Sequence, residues 1–312
     1  MPSSLTPTAP SPLRLRIARL SIFVSVIVLA VKYSAYYVSG SGALLSDAIE
    51  TILNVVASIG TLWAVSFAAR PADDNHQYGH GKAEYLWAVI EGVLVVLAAL
   101  GILLIALHDA FHPMPIDAPF FGVTLNALAG VINLVWARIM ISIGRRHTSQ
   151  ALLSAGEHVQ SDVWASLALL IGVSLIPFVH WNGLDPLLSA LVALNVLWTG
   201  FCMMRRSMSG LMDEVPSADL VEKLRLLIAQ TGTGALEAHD LRMRKVGSLF
   251  FVEFHLVVPN HMQITEAHDI CDRIEAAFRQ ELGQASIHIH VEPEKMAKRH
   301  EPGQNSVLVL SS

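Results

Sequence analysis

The sequence predicts a membrane protein in two parts, a bundle of six transmembrane helices followed by a small cytoplasmic α+β domain. Three observations carry that prediction. Of the 312 residues, 53% are hydrophobic and only 15% are charged, whereas soluble domains sit near a quarter charged. The apolar residues gather into six stretches long enough to cross a bilayer, which takes about 20 helical residues. Beyond residue 211 the pattern changes to amphipathic helices and alternating strands. The net charge of −5 argues against a nucleic-acid partner. The two cysteines, Cys202 and Cys271, fall in an apolar stretch and a downstream helix, so no disulfide framework is expected.

Residues 1–12 are rich in Pro, Ser and Thr and are expected to be disordered. Arg14, Arg16 and Arg19 then lead into the first span, near 15–38. That apolar run outlasts a signal-peptide core and no cleavage site precedes Tyr36-Tyr37, so the span is expected to be retained. The other spans are placed near 43–68, 84–108, 119–143, 151–177 and 185–206. Basic residues lie before the first span, between the second and third, and after the fourth and sixth; loops 39–42, 109–118 and 178–184 contain none. By the positive-inside rule both termini are cytoplasmic. Tyr36, Tyr37, Tyr85, Trp87 and Trp181 sit near span ends and read as interfacial rings. Lys32, late in the first span, is expected to snorkel outward rather than pair with a carboxylate.

The soluble part follows at 211–295. Residues 217–231 read as an amphipathic helix with Ser217 as N-cap. Residues 239–246 and 249–258 read as strands around Gly247-Ser248. A second helix is expected at 264–281, with Ala267, Ile270, Cys271, Ile274 and Phe278 on one face, and a last strand at 285–292. The order α-β-β-α-β fits a ferredoxin-like, metallochaperone-like domain with helices on one face of a sheet. The tail 296–312 is expected to be disordered.

Four residues inside the apolar spans stand out. Glu50 and Asn54 are one helical turn apart on the second span, and His158 and Asp162 one turn apart on the fifth. Each pair stacks on one face, so the two faces together offer two carboxylates, an imidazole and an amide oxygen to one point. Charge at membrane depth is costly and marks ion pathways or binding sites. Two further sets have metal-ligand chemistry. In the loop between spans two and three, Asp73, His76 and His80 lie among glycines that let the chain fold back. In the soluble part His239, His255, His268, His290 and Glu292, with Glu253 and His288 beside them, collect imidazoles and carboxylates from several elements. From pattern alone, a solvated loop and a polar sheet face explain these two sets equally well.

The segment PADDNHQYGHGKAE at 71–84, the HxxxD of His158–Asp162 within EHVQSDV, and AHDLRMR at 238–244 resemble the cation diffusion facilitator family, in its bacterial zinc/iron-exporting branch. The resemblance spans roughly residues 13–295. It implies a homodimer in a bacterial inner membrane that exports a divalent cation, most readily Zn²⁺ but also Fe²⁺, Cd²⁺ or Co²⁺, by cation/proton antiport. It implies no enzyme activity and no organic cofactor. Carried over by position, the transport site is Glu50, Asn54, His158 and Asp162; the loop site is Asp73, His76 and His80; the cytoplasmic regulatory site is His239, His255, His268, His290 and Glu292. Lys82 and Asp213 match an ion pair linking bundle and cytoplasmic domain. His288 has no clear counterpart.

The sequence departs from that branch at the second span, where Asp or His and then Asp are usual, against Glu50 and Asn54 here. Two carboxylates remain to balance a divalent ion, but a set richer in oxygen moves toward harder ions. Mn²⁺ or Co²⁺ as the main cation is therefore an alternative. A transport-dead metal-sensing scaffold, motivated by Asn54, is another. A membrane hydrolase using HxxxD is disfavoured, since neither HExxH nor a nucleophile elbow occurs.

Overall fold

A computed structural model describes residues 12–39, 42–111, 120–179, 184–247, 249–297 and 308–309. The chain divides after Leu211 into two compact units. The first holds six long helices: α1 (Pro12–Ser39), α2 (Gly42–Ala68), α3 (Ala83–Phe111), α4 (Phe120–Arg146), α5 (Gln150–Val179) and α6 (Leu184–Leu211). Each covers one expected span. Among the described residues α2, α3 and α4 contain stretches that are long and apolar enough by themselves to cross a membrane.

The outward faces of these helices are apolar, with Leu97, Leu104, Val131 and Trp198 more than half exposed, as lipid-facing positions require. Small residues face inward and let backbones approach, as in membrane bundles generally. A Cβ on Gly156 of α5 would meet the Ile141 backbone nitrogen of α4 at 3.0 Å. α3 packs along α6, α4 along α5 and α1 along α2, while α2, α3 and α5 touch one another. That last trio positions the buried polar groups. Trp87, expected at the interface, packs instead over Gly60 and donates its indole N–H to Thr61 Oγ1 at 3.2 Å, joining α3 to α2.

The second unit contains α7 (Ala218–Thr231), β1 (Glu237–Val246), β2 (Leu249–Val258), α8 (Ile264–Leu282), β3 (Ala285–Pro293) and β4 (Leu308–Val309). The Ser217 side chain accepts from the Leu220 N–H at the start of α7, as its position in the sequence predicts. The sheet order is β3-β2-β1-β4. β1 and β2 form a hairpin, and β3 returns parallel to β2 through the α8 crossover. One sheet face carries Val252, Phe254, Leu256 and Val258 into a core with Leu224 and Ile228 of α7 and Ile274 and Phe278 of α8. The tail was expected to hold no order, yet Leu308 and Val309 pair with Ala238 and Glu237 at the β1 edge. An exposed strand edge is a ready template for pairing, and this segment covers part of it.

Candidate metal centres

The first centre lies inside the bundle. Asn54 on α2 is 5% exposed and His158 on α5 is 8% exposed. The two helices meet there: Asn54 Nδ2 donates to Asp162 Oδ2, and His158 Nε2 lies 3.9 Å from Asp162 Oδ1. Glu50 lies one turn before Asn54 on α2, but its side chain falls outside the described residues.

A third helix contributes what the sequence reading missed. Glu91, in the middle of α3, is 0% exposed. Its Oε2 accepts a hydrogen bond from Ser154 Oγ of α5 at 2.6 Å. Its Oε1 lies 3.5 Å from His158 Nδ1. Asn54, Ser58, Glu91 and His158 line a cavity of about 10 Å³, the size of one water or one dehydrated ion. The signal was present in the sequence, since a lone carboxylate in an apolar run is a functional marker by itself. It went unused because no partner at helical spacing accompanies Glu91 on α3.

Lys32 corrects another expectation. It is 2% exposed and its ammonium lies 2.8 Å from Asp47 Oδ1 of α2. Snorkelling fails because α2 packs along α1 and brings a carboxylate to it, and a buried ammonium without a partner is far costlier.

The second centre is the loop before α3. One potential ligand atom from each of Asp73, His76 and His80 lies within 4.8 Å of the other two. The loop closes on itself: the Asp73 and His76 backbones exchange hydrogen bonds, and Gly79 takes φ +81°, a conformation glycine adopts without strain. Asp73 Oδ1 lies 3.1 Å from His76 Nδ1 and Asp73 Oδ2 lies 3.3 Å from His80 Nε2. Partial desolvation pushes the Asp73 carboxyl up, but the His76 hydrogen bonds and the charges of His76 and His80 outweigh it, so the group lies below its ordinary value of 3.8. His80 is buried and its Nδ1 has no hydrogen-bond partner. One carboxylate and two imidazoles at this spacing fit a Zn²⁺-like ion.

The third centre is on the sheet face opposite the core. The register places His239 opposite His255 and His255 beside His290, a row of three imidazoles across β1, β2 and β3. Glu292 joins them: its carboxylate lies 3.4 Å from His239 Nε2, 2.9 Å from His255 Nδ1 and 3.8 Å from His290 Nε2. Glu237, 2.9 Å from His239 Nδ1, is an addition. So is Asp240, whose carboxylate lies with the His239 and His255 ring nitrogens inside 4.8 Å. A register shift after His239 and a φ of +54° at Asp240 mark a bulge, which turns a side chain that strict alternation would send to the other face. Period-two reading cannot foresee a bulge. His268 is not brought to this row. It is exposed on α8 and its carboxylate neighbour is Asp272, 3.8 Å away on the same helix. His288 lines the open side of the row next to Glu253.

Of the expected pair of Lys82 and Asp213, Lys82 donates to the Leu211 carbonyl at 3.2 Å within the first unit. Asp213 pairs with Arg244 at 3.0 Å within the second.

Comparison with known proteins agrees with this layout. Residues 18–212 match the cation efflux transmembrane domain, and residues 216–294 match the cation efflux protein cytoplasmic domain. The uncharacterized transporter sll1263 of Synechocystis sp. is 37% identical over 277 residues, covering 88% of this chain and 89% of that protein. The cation-efflux pump FieF of Salmonella newport is 28% identical over 267 residues, covering 85% and 88%. A solved structure of CzrB in its Zn form is 41% identical, covers 28% of this chain and 98% of its own, and superposes with a TM-score of 0.27.

Proposed function

The chain belongs to the cation diffusion facilitator family of cation-efflux transporters, and from that premise we propose that it exports a divalent metal cation, Zn²⁺ foremost, in exchange for protons. The observation that supports this most is the meeting of Asn54 on α2 with His158 and Asp162 on α5 inside the bundle. Glu50 completes the proposed transport site. Imidazole nitrogen with oxygen donors suits Zn²⁺ and also Fe²⁺, Co²⁺, Cd²⁺ and Mn²⁺.

The chemistry follows from the donor set. Cation binding needs a neutral His158 and ionised carboxylates. Protonation on the far side of the membrane removes the imidazole lone pair and releases the ion, and histidine titrates in the range where this is useful. Asn54 contributes an oxygen and no proton site, so at most three of the four proposed ligands carry protons. The site alternates between the two faces of the bilayer.

In this reading the protein is a homodimer in the bacterial inner membrane with both termini cytoplasmic. The loop centre and the sheet-face centre take regulatory metal. Occupancy of the sheet-face centre biases the dimer toward one arrangement and so sets transport rate. The pairing of Lys82 with Asp213 stays part of the proposal, as the family's pattern implies it.

A second reading has one observation in its favour. Asn54 Nδ2 donates to Asp162 Oδ2 and occupies that oxygen, and the amide itself offers a single neutral oxygen where the family's pattern has a carboxylate. On that reading the protein senses metal without moving it. Uptake into proteoliposomes across a pH gradient decides, with Zn²⁺, Fe²⁺, Co²⁺, Mn²⁺ and Cd²⁺ in competition. We expect saturable uptake that Asp162→Ala abolishes, with proton release in step. An Asp162→Ala variant transporting at the wild-type rate ends the site assignment. Cation movement without proton movement ends the antiport. No uptake of any of the five leaves the sensor.

A further inference from the structure

We infer that Glu91 is the positioning residue of His158: it accepts the Nδ1–H of the imidazole and so presents the Nε2 lone pair to the exported cation. This deepens the transport-site reading and rests on it.

The two ring nitrogens of His158 face two carboxylates on two helices. Nε2 lies 3.9 Å from Asp162 Oδ1, on the side where Asn54 and Asp162 meet. Nδ1 lies 3.5 Å from Glu91 Oε1 on α3. A neutral imidazole has one N–H and one lone pair. Whichever carboxylate takes the N–H decides which nitrogen binds the ion. Glu91 is built for the N–H. It is fully buried, and Ser154 Oγ holds its Oε2 at 2.6 Å, which fixes the plane of the carboxylate. Its Oε1 accepts no other hydrogen bond. A buried carboxylate oxygen is costly without a donor, and Nδ1–H is the ring donor within reach. The 3.5 Å separation is at the outer limit for a hydrogen bond, and such contacts shorten when a site closes on its ligand.

Metal-ligating histidines commonly hand their second N–H to a carboxylate, which fixes the tautomer and raises ligand basicity. Here that arrangement has a second consequence. Position 54 is a neutral amide, so the negative charge of Glu91 behind the imidazole strengthens the nitrogen donor where the ligand set itself has lost a charge. Ser154, one turn before His158 on α5, ties the two helices so that Glu91 and the ring move together.

The test reads the tautomer directly. The full-length protein with ¹⁵N-labelled histidine is reconstituted in lipid bilayers, and the His158 signals are identified by their loss in His158→Gln. At pH 8 we expect His158 as the Nδ1–H form, with Nε2 shifting on Zn²⁺ addition. In Glu91→Leu we expect the Nε2–H form to appear and Zn²⁺ affinity of the bundle to fall by roughly tenfold to a hundredfold. Glu91→Asp, which keeps the acceptor, should restore the Nδ1–H form and most of the affinity. An Nε2–H form in the wild type, or an unchanged tautomer in Glu91→Leu, overturns the inference. Should Glu91→Leu fail to fold, the wild-type spectrum and Glu91→Gln, which keeps the shape without the charge, decide it. A Glu91→Gln with wild-type affinity means that the carboxylate charge contributes nothing, against the inference. The transport-site reading fails separately: His158 signals indifferent to Zn²⁺ would sink that reading and leave the tautomer result standing.

Discussion

The bundle interior concentrates its energetics in single side chains. In the Lys32–Asp47 pair the ammonium is buried and the carboxylate half-buried, and removing the lysine strands the aspartate charge. We expect Lys32→Met to lower stability by about 3–5 kcal/mol, and Lys32→Met with Asp47→Leu to recover most of it. Thermal unfolding in detergent, followed by loss of the monodisperse peak, measures the cycle. Additive losses would show that the pair is not coupled. In the second unit Cys271 is buried against the core. Burial, helped by Glu275 and Asp272, pushes its thiol above the ordinary value of 9.0. The folded protein therefore holds this proton more tightly than the unfolded chain. The associated stability is complete below about pH 9 and is lost as pH rises through the folded value. Alkylation of Cys271 by iodoacetamide at pH 8 should be slow in the native protein and fast in urea, by mass spectrometry, because the thiolate is the reactive form.

Helices and strands carry a different kind of constraint, since they must approach at fixed spacing for those side chains to meet. Gly156 lies two residues before His158 on the α4-facing side of α5, where a Cβ would come within 2.8 Å of Ile141 Cγ1. Gly156→Val must push α5 away from α4. We expect a stability loss of about 1–3 kcal/mol from overpacking together with weaker cation binding at His158. Equilibrium binding in detergent reads the second effect, and unchanged affinity would show that α5 tolerates the shift locally. Among the strands, the bulge after His239 has the same status. It places Asp240 near His255, at the cost of a positive φ in a non-glycine residue.

At the scale of the whole molecule the two units have separate cores. The second has its own apolar interior between sheet and helices. We expect residues 212–312, expressed alone, to fold as a soluble α+β domain, with cooperative thermal loss of its circular dichroism. Including the tail matters, because β4 pairs with the β1 edge. A fragment that stays unfolded would show that the bundle is needed for this domain to form.

The sequence by itself determined the six helices, their boundaries to within a few residues, and the α-β-β-α-β order. These follow from local quantities: apolar run length set against bilayer thickness, period-two alternation, and caps such as Ser217. It also placed Glu50 and Asn54 one turn apart on one helix and His158 and Asp162 one turn apart on another. Only the tertiary structure decided which faces meet. Glu91 and Lys32 stand out in the sequence as charges inside apolar runs, but their partners depend on the packing of α3 against α5 and of α1 against α2, contacts that no periodicity encodes. Asp240 depended on a bulge that breaks the alternation used to read it, and the β4 pairing on a strand edge far away in the chain. Local patterns fix what each segment is; long-range packing in a low-dielectric interior fixes which charges must become partners.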